Sequence, residues 1–240
     1  VLFPVMSRFQ SNKEKLLDYT RLFLRVTSYL IFPMMIGFFV VSDNFVVVVL
    51  TEKWLPMSVY LKIFCVSYMF IMIATGNCET IKAMGRSDVF LIIEIAKKVC
   101  YFLILVFFII FSSSPILLAI SQLICTFVAI LINTYPNRKL IGYSYKKQLL
   151  DLLPNLFISL IMGVTVYLMN YIQYSRIVVL VLQIFTGIIV YVLLSYLTRN
   201  KSFFFLLGYV KSLFKNNNSL PRTNLRCKIL CNSSEATHIN

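Results

Sequence analysis

Charged residues are few. They make up 13% of the 240 residues, against about 25% in a soluble domain. A chain with half the usual share cannot cover a water-facing surface. An ordinary cytosolic enzyme, a disordered tail and a secreted disulfide scaffold are therefore excluded. Glycine is also rare, at 7 residues, and histidine occurs once, in the tail. Gly-rich phosphate loops and most histidine chemistry go with them. There is no Walker A, HExxH, GxSxG or DxD-like pair, so neither a nucleophile–base pair nor a set of metal ligands is visible. No enzymatic activity, cofactor or metal centre is expected. Cys65, Cys78, Cys100 and Cys125 sit inside apolar runs, where they pack as small hydrophobes. Cys227 and Cys231, spaced CxxxC with His238 further on, fall short of the four well-placed ligands of a structural zinc site.

What is abundant is apolar surface. Hydrophobic residues reach 59%, and the mean hydropathy is +0.83. A bilayer core about 30 Å thick needs roughly 20 apolar residues per spanning helix. Six stretches qualify: Val26 to Phe45, Met57 to Lys82, Asp88 to Phe111, Pro115 to Tyr135, Leu152 to Tyr171 and Ile177 to Leu197. They are apolar nearly all round, as lipid-embedded helices are, and unpaired backbone groups in hydrocarbon demand helices. The fold class is all-α: a polytopic membrane helix bundle with six transmembrane helices. Residues 26–197 form this domain. Residues 1–25 read as the end of an upstream helix followed by a cytoplasmic amphipathic linker. Residues 198–240 read as a basic cytoplasmic tail, disordered from about 216, where polarity is high and periodicity absent. The chain opens VLFPVMSRF with no initiator Met, and it reads as the C-terminal portion of a longer membrane protein.

The linker, Ser11 to Arg25, carries Leu16, Tyr19, Phe23 and Val26 on one stripe. Glu14, Asp18, Arg21 and Arg25 lie on the other, as in a helix at the membrane interface. Pro56, Pro115 and Pro154 fall near helix starts, and Pro136 follows the end of the fourth span. Pro33 lies inside the first span and kinks it; the kink is either passive or a hinge.

Basic residues outnumber acidic ones by 23 to 9, a net charge of +14. In a membrane protein the first explanation is topological, because cytoplasmic loops collect Lys and Arg; nucleic acid is not expected as a partner. Arg8, Lys13, Lys15, Arg21, Arg25, Lys82, Arg86, Arg138, Lys139, Lys146 and Lys147 fall on one side, with the basic tail. Lys53, Lys62 and Arg176 fall on the other. Both ends are expected in the cytoplasm. The sequons at Asn217 and Asn232 carry no meaning on that side.

Three polar sites lie within the spans. Glu94 can pair with Lys97 and Lys98 at i+3 and i+4. The lysines stand about 8–9 Å inside the interface, within reach of snorkelling, and adjacent positions point about 100° apart, so both cannot face one cavity equally. Lys62 has no acidic neighbour on its own helix, and snorkelling explains it as well. Asn77, Glu79 and Lys82 crowd the end of the second span. Lining of a transport cavity is the alternative for all three. Gln122, Thr126, Asn155, Asn170 and Gln183 read as interhelical hydrogen-bonding groups, and Ser159 with Gly163 as a small-xxx-small pair for close helix approach.

The segments LFPVMSRF, IFPMMIGFFVVSDNFVVVVLTEKWLP and KAMGRSDVFLIIEIAKK resemble the C-terminal half of bacterial polysaccharide transporters. These are the Wzx-type oligosaccharide flippases of the MOP (multidrug/oligosaccharidyl-lipid/polysaccharide) exporter superfamily. The similarity rests on Pro4, Ser7, Pro33, Glu52, Lys53, Trp54, Pro56, Gly85, Arg86, Ser87, Asp88, Glu94, Lys97 and Lys98 and extends over residues 1–215. It implies a partial lobe of a two-lobed transporter, its six spans corresponding to the ninth to fourteenth of the longer members, with the N-terminal portion of the same protein as its missing partner. It further implies movement of an undecaprenyl-diphosphate-linked oligosaccharide (an O-antigen, capsule or exopolysaccharide repeat unit) across the bacterial cytoplasmic membrane, in contact with membrane lipids. The groups this chain offers for substrate binding are Arg25, Lys62, Glu79, Lys97 and Lys98, with Pro33 as hinge candidate. A small-molecule exporter of the same superfamily and a lipid-modifying membrane enzyme are the alternatives. The enzyme needs a large polar loop with His, Asp or Glu, and the loops here are short.

Overall fold

The computed structural model describes residue 10 and residues 12–111, 114–171 and 174–215. Regular structure among the described residues is entirely helical. In chain order the elements are α1 (Lys13–Leu50), a 3-10 turn (Glu52–Met57), α2 (Ser58–Ala83), α3 (Ser87–Phe111) and α4 (Pro115–Leu140). Then follow α5 (Tyr145–Leu168), a second 3-10 turn (Met169–Tyr171), α6 (Arg176–Leu197) and α7 (Lys201–Lys215). Local chemistry sets several ends. The Asn12 side chain accepts from the Lys15 N–H at 3.1 Å and caps α1. Pro115 starts α4, where its missing N–H costs nothing. Gly142, at φ +70°, turns the chain into the left-handed region after α4.

Five helical stretches are long and apolar enough to cross a membrane: Lys13–Leu50, Glu52–Ala83, Pro115–Leu140, Tyr145–Tyr171 and Arg176–Leu197. The sixth apolar run is also a helix, the 25-residue α3. Glu94, Lys97 and Lys98 leave it no 18-residue stretch with two charges or fewer, so the count of six is not established by apolarity alone.

The element boundaries depart from the sequence reading in three places. The amphipathic linker and the first span are one 38-residue helix, about 57 Å long at 1.5 Å per residue. No Gly or Pro interrupts residues 13–32, and backbone hydrogen bonding does not stop where lipid stops. The linker also does not lie apart on the membrane surface: Leu16, Thr20 and Leu24 are fully buried in the bundle. Helix α4 runs past Pro136 to Leu140, and α5 begins at Tyr145, so Pro136 and Pro154 stand inside helices rather than beyond or at their ends. Hydropathy marks where a helix leaves lipid; helices continue through polar turns on either side.

Helix α1 is the centre of the bundle. It packs along α2 and α5 and touches α6, while α2 packs on α4, α4 on α3, and α5 on α6. The order across the bundle is therefore α3, α4, α2, α1, α5, α6. The core of Leu16, Leu24, Phe32, Met69, Ile73 and Leu152 joins α1, α2 and α5. Outward-facing Ile92, Phe102, Ile110 and Leu150 are each about two-thirds exposed or more, which suits a hydrocarbon surround. The small-xxx-small pair does what its spacing implies: a Cβ on Gly163 would stand 2.6 Å from Ile36 Cγ2 across the α1–α5 seam. That methyl is carried on the branched Cβ of Ile36, whose stiff side chain cannot readily swing aside. Gly163→Ala is therefore expected to destabilise the bundle by about 1 kcal/mol or more, measured by denaturation in detergent, with Gly37→Ala, whose added Cβ meets only Met162 Cε at 3.8 Å, as the milder comparison.

The chain divides after Thr198 into two compact units. The second contains the 15-residue α7, opened by Asn200, whose Oδ1 accepts from the Ser202 N–H at 2.9 Å. Residues 1–9 and 216–240 lie outside the described residues, and with them the expected upstream helix end, the tail, Cys227, Cys231 and His238.

Candidate functional site

The basic end of the bundle is organised around one carboxylate that the sequence reading passed over. Asp151, in the second turn of α5, is 7% exposed. Arg21 Nε and Nη2 donate to it at 2.8 and 3.0 Å, and Arg25 Nε donates at 3.1 Å with its Nη2 also in contact. Residues 21 and 25 are one turn apart on α1, so both guanidinium groups reach the same neighbour. The Tyr143 hydroxyl donates to Asp151 at 3.0 Å from below. Gly142 places Tyr143 there, its left-handed turn folding the phenol back under α5. Burial, with the Asp151 charge adding to it, pushes the Tyr143 phenol above its usual value, so it stays a neutral donor. Two arginines against one carboxylate leave a surplus positive charge, and both arginine side chains are about a third exposed.

This arrangement corrects the surface reading of Arg21 and Arg25. They were expected on a water-facing stripe with Glu14 and Asp18. They turn instead into a contact with α5, because a buried carboxylate must be paired to be tolerated. The available signal was Asp151 itself, a lone acid at the edge of an apolar run.

A second polar layer lies beside it. Asn77 of α2 donates to Thr134 Oγ1 of α4 and to Gln148 Oε1 of α5, both at 3.1 Å. Its own Oδ1 accepts from Asn137 at 2.9 Å and Gln148 at 3.1 Å. Thr20 and Thr80 hydroxyls meet at 3.0 Å, joining α1 to α2. Asn77, Thr134 and Asn137 are fully buried. One amide thus ties three helices, an arrangement open only to a side chain with two donors and an acceptor.

Of the remaining charged sequence candidates, all but Lys98 have an ion-pair partner among the described residues. Lys62 reaches Asp43 of α1 at 2.7 and 2.8 Å, so its partner is across the seam rather than on its own helix. Glu79 accepts from Lys82 at 2.9 Å. Lys97 is buried, pairs with Glu94 and lies 3.8 Å from Cys78 Sγ of α2. Lys98 is exposed. The two lysines do point apart, as helix geometry requires. Of the predicted interhelical groups, Asn155 donates to Ser28 Oγ and to the Arg25 carbonyl, both at 2.8 Å. Gln183 donates to Asn170 at 3.0 Å, and Asn44 donates to both, at 2.9 Å to Asn170 and 3.1 Å to Gln183. Thr126 instead bonds back to the Gln122 carbonyl of its own helix.

Pro33 interrupts α1 at its middle. A proline frees the carbonyl four residues earlier, here Tyr29. The Tyr191 hydroxyl of α6 donates to that carbonyl at 2.6 Å, and the Tyr29 hydroxyl donates to Ser195 Oγ at 3.1 Å. A neighbouring helix therefore satisfies the break, as membrane helices require. Tyr191→Phe is expected to cost about 1 kcal/mol. The cost should shrink in a Pro33→Ala background, where the helix supplies its own N–H; a double-mutant cycle in detergent reads the difference.

The match with known proteins is strongest at the two ends of this description, sequence and fold. A profile described as polysaccharide biosynthesis protein matches residues 1–59. The chain is 27% identical over 224 residues to an uncharacterized membrane protein in the cps region of Klebsiella pneumoniae, covering 90% of this chain and 44% of that protein. It is 33% identical over 89 residues to the lipopolysaccharide biosynthesis protein WzxC of Escherichia coli K12, covering 37% of this chain and 18% of WzxC. The fold matches the lipid II flippase MurJ in its inward closed conformation with a TM-score of 0.68, at 19% identity, over 83% of this chain and 43% of MurJ. The chain spans less than half the length of these proteins. In sequence the chain is similar to membrane proteins of polysaccharide biosynthesis, and its multi-pass helix bundle has the fold seen in MurJ.

Proposed function

We propose that this bundle is part of a flippase that moves a polyprenyl-diphosphate-linked oligosaccharide across the bacterial inner membrane, without catalysing a reaction. What supports this is a MurJ-like helix bundle whose basic end holds two arginines, each about a third exposed, around a single buried carboxylate. A transporter for such a lipid must shelter a glycan and a diphosphate while its lipid tail stays in hydrocarbon. Basic groups of low solvent exposure suit the diphosphate. Arg25 and Arg21 are the groups placed for it, since one carboxylate leaves their charge in excess. Exposed Lys98 is the other candidate. Lys62, Lys97 and Glu79 serve their ion pairs. Pro33 is the point about which α1 bends as the transporter alternates its access.

The translocation path would lie between this bundle and a complementary set of helices. In a strain lacking its polysaccharide flippase, the bundle joined to those helices should restore glycan export, and the 240 residues alone should not. Arg25→Gln in that restored protein should abolish export at normal membrane abundance, with Arg25→Lys retaining part of it. Full export by the Gln variant would remove Arg25 from the path. Both ends of the bundle are proposed to be cytoplasmic, on the Lys and Arg asymmetry. Reporter fusions at Ser114 and Tyr174 should read external and at Gly142 internal; an internal reading at Ser114 would overturn this topology.

A further inference from the structure

Away from the arginine clamp, α3 and α4 part at their basic ends and leave a cleft of about 660 Å³. Its walls are Val89, Ile92 and Ala96 of α3 and Leu131, Tyr135 and Pro136 of α4, closed at one end by Tyr145. On α3 these positions follow i, i+3, i+7, one face of one helix. The walls are almost wholly apolar, and they open outward: Ile92 is 67% exposed and Leu131 58%. Tyr145 fixes the closed end by donating to the Leu131 carbonyl at 2.7 Å.

The mouth of this cleft is positively charged. Arg86 and Lys139 line it, and Arg138 stands beside Lys139 on the last turn of α4. The Lys139 ammonium sits 4.8 Å from the centroid of the Tyr135 ring, held against the cleft wall by a cation–π contact. Arg86 is paired with the exposed Asp88 at 3.0 Å. Arg138 and Lys139 form no ion pair among the described residues, so Lys139 leaves a positive charge on the rim of the apolar slot, with exposed Arg138 one position away on the same turn.

We propose that this cleft binds an anionic phospholipid, one acyl chain between α3 and α4 and the phosphate at Lys139 and Arg138. The two halves of the site argue for it together. An apolar slot opening sideways from helices of membrane length takes a hydrocarbon chain. A pair of uncompensated cations at the interfacial end takes a phosphate and favours a headgroup with no ammonium of its own. A zwitterionic lipid brings a positive group to a positive mouth. A soluble anion gains nothing from the slot. None of its residues belongs to the Asp151 clamp.

The test is lipid binding by the purified 240-residue chain in detergent, followed by native mass spectrometry. The probes are phosphatidylglycerol and phosphatidylcholine of matched acyl chains. Phosphatidylglycerol should bind at least about fivefold better and should be released by high salt, as an interfacial phosphate contact would be. The Arg138→Gln, Lys139→Gln double variant changes two exposed side chains and should bring phosphatidylglycerol down to the phosphatidylcholine level. Ala96→Phe should fill the slot and reduce both lipids. Lys53→Gln, at the opposite end of the bundle, should change neither. Helical circular dichroism confirms that each variant is folded, and the salt response of the unaltered chain stands if one is not. Equal binding of the two lipids, undiminished phosphatidylglycerol in the double variant, or displacement of bound lipid by glycerol 3-phosphate at equal concentration would overturn the proposal.

Discussion

Asp151→Leu is expected to destabilise the bundle by about 3 kcal/mol. The side chain is nearly fully buried and accepts from three residues on two other segments: Arg21, Arg25 and Tyr143. Removing it leaves two guanidinium groups crowded together with no counter-charge. A broken buried pair costs roughly 3–5 kcal/mol, reduced here because both arginines are about a third exposed and draw on solvent. It also strands the Tyr143 hydroxyl, on a residue with no exposed surface, for about 1–3 kcal/mol more. Asp151→Asn should cost less, since an amide oxygen still accepts from Tyr143. Arg21→Gln alone should cost least, because Arg25 continues to neutralise the carboxylate. The ordering Leu, then Asn, then the single arginine variant is the discriminating result, read from denaturant midpoints in detergent at matched protein concentration. Equal midpoints for all three would show that the clamp is solvated in the membrane.

The second large effect separates two adjacent lysines. Lys97→Met is expected to cost about 2 kcal/mol, and Lys98→Gln less than about 0.5 kcal/mol. Lys97 is 8% exposed and faces Glu94 and Cys78, so its loss leaves a carboxylate with no partner at the α2–α3 seam. Glu94 is partly exposed, which holds the cost below that of a fully buried charge. Replacing both members, Glu94→Gln with Lys97→Met, should recover most of the loss, because a well-packed neutral pair removes the desolvation of two ions. The double-mutant cycle gives the coupling directly. If the two single lysine variants lose equal stability, the orientation of α3 described here is wrong.

These two sites differ in how far they were legible. The Glu94–Lys97 pair is a matter of spacing on one helix, and helix geometry alone also says that Lys98 must point elsewhere. What spacing does not contain is which of the two lysines is the buried one; the position of α2 decides that. The Asp151 clamp is the opposite case. Its members are separated by 126 and 130 positions, and nothing local to Arg21 or Arg25 distinguishes an arginine facing solvent from one facing another helix. Lys62 shows the same limit. On its own helix it has no acid, and its partner Asp43 is adjacent only because α1 and α2 run side by side. Pro33 was visible as an interruption, but the carbonyl it frees is satisfied by Tyr191, more than 150 residues away.

The class of this protein and the approximate places of its helices are legible in the order of its residues. Both follow from the cost of polar surface in hydrocarbon, which acts on every residue separately and so is written in composition and run length. The small-residue pair at Ser159 and Gly163 belongs to the same kind of information, since a missing side chain is a local fact with one steric meaning. The rest comes from packing. It made one continuous helix of the interfacial linker and the first span, carried α4 and α5 through Pro136 and Pro154, and put α1 at the centre of the bundle. It chose Asp151 as the partner of two arginines and left Lys139 and Arg138 without an ion pair among the described residues. The physical reason is common to all of these. Helix ends and ion-pair partners in a bundle are settled by what lies across the seam, and a linear chain does not carry the distances between its own distant parts.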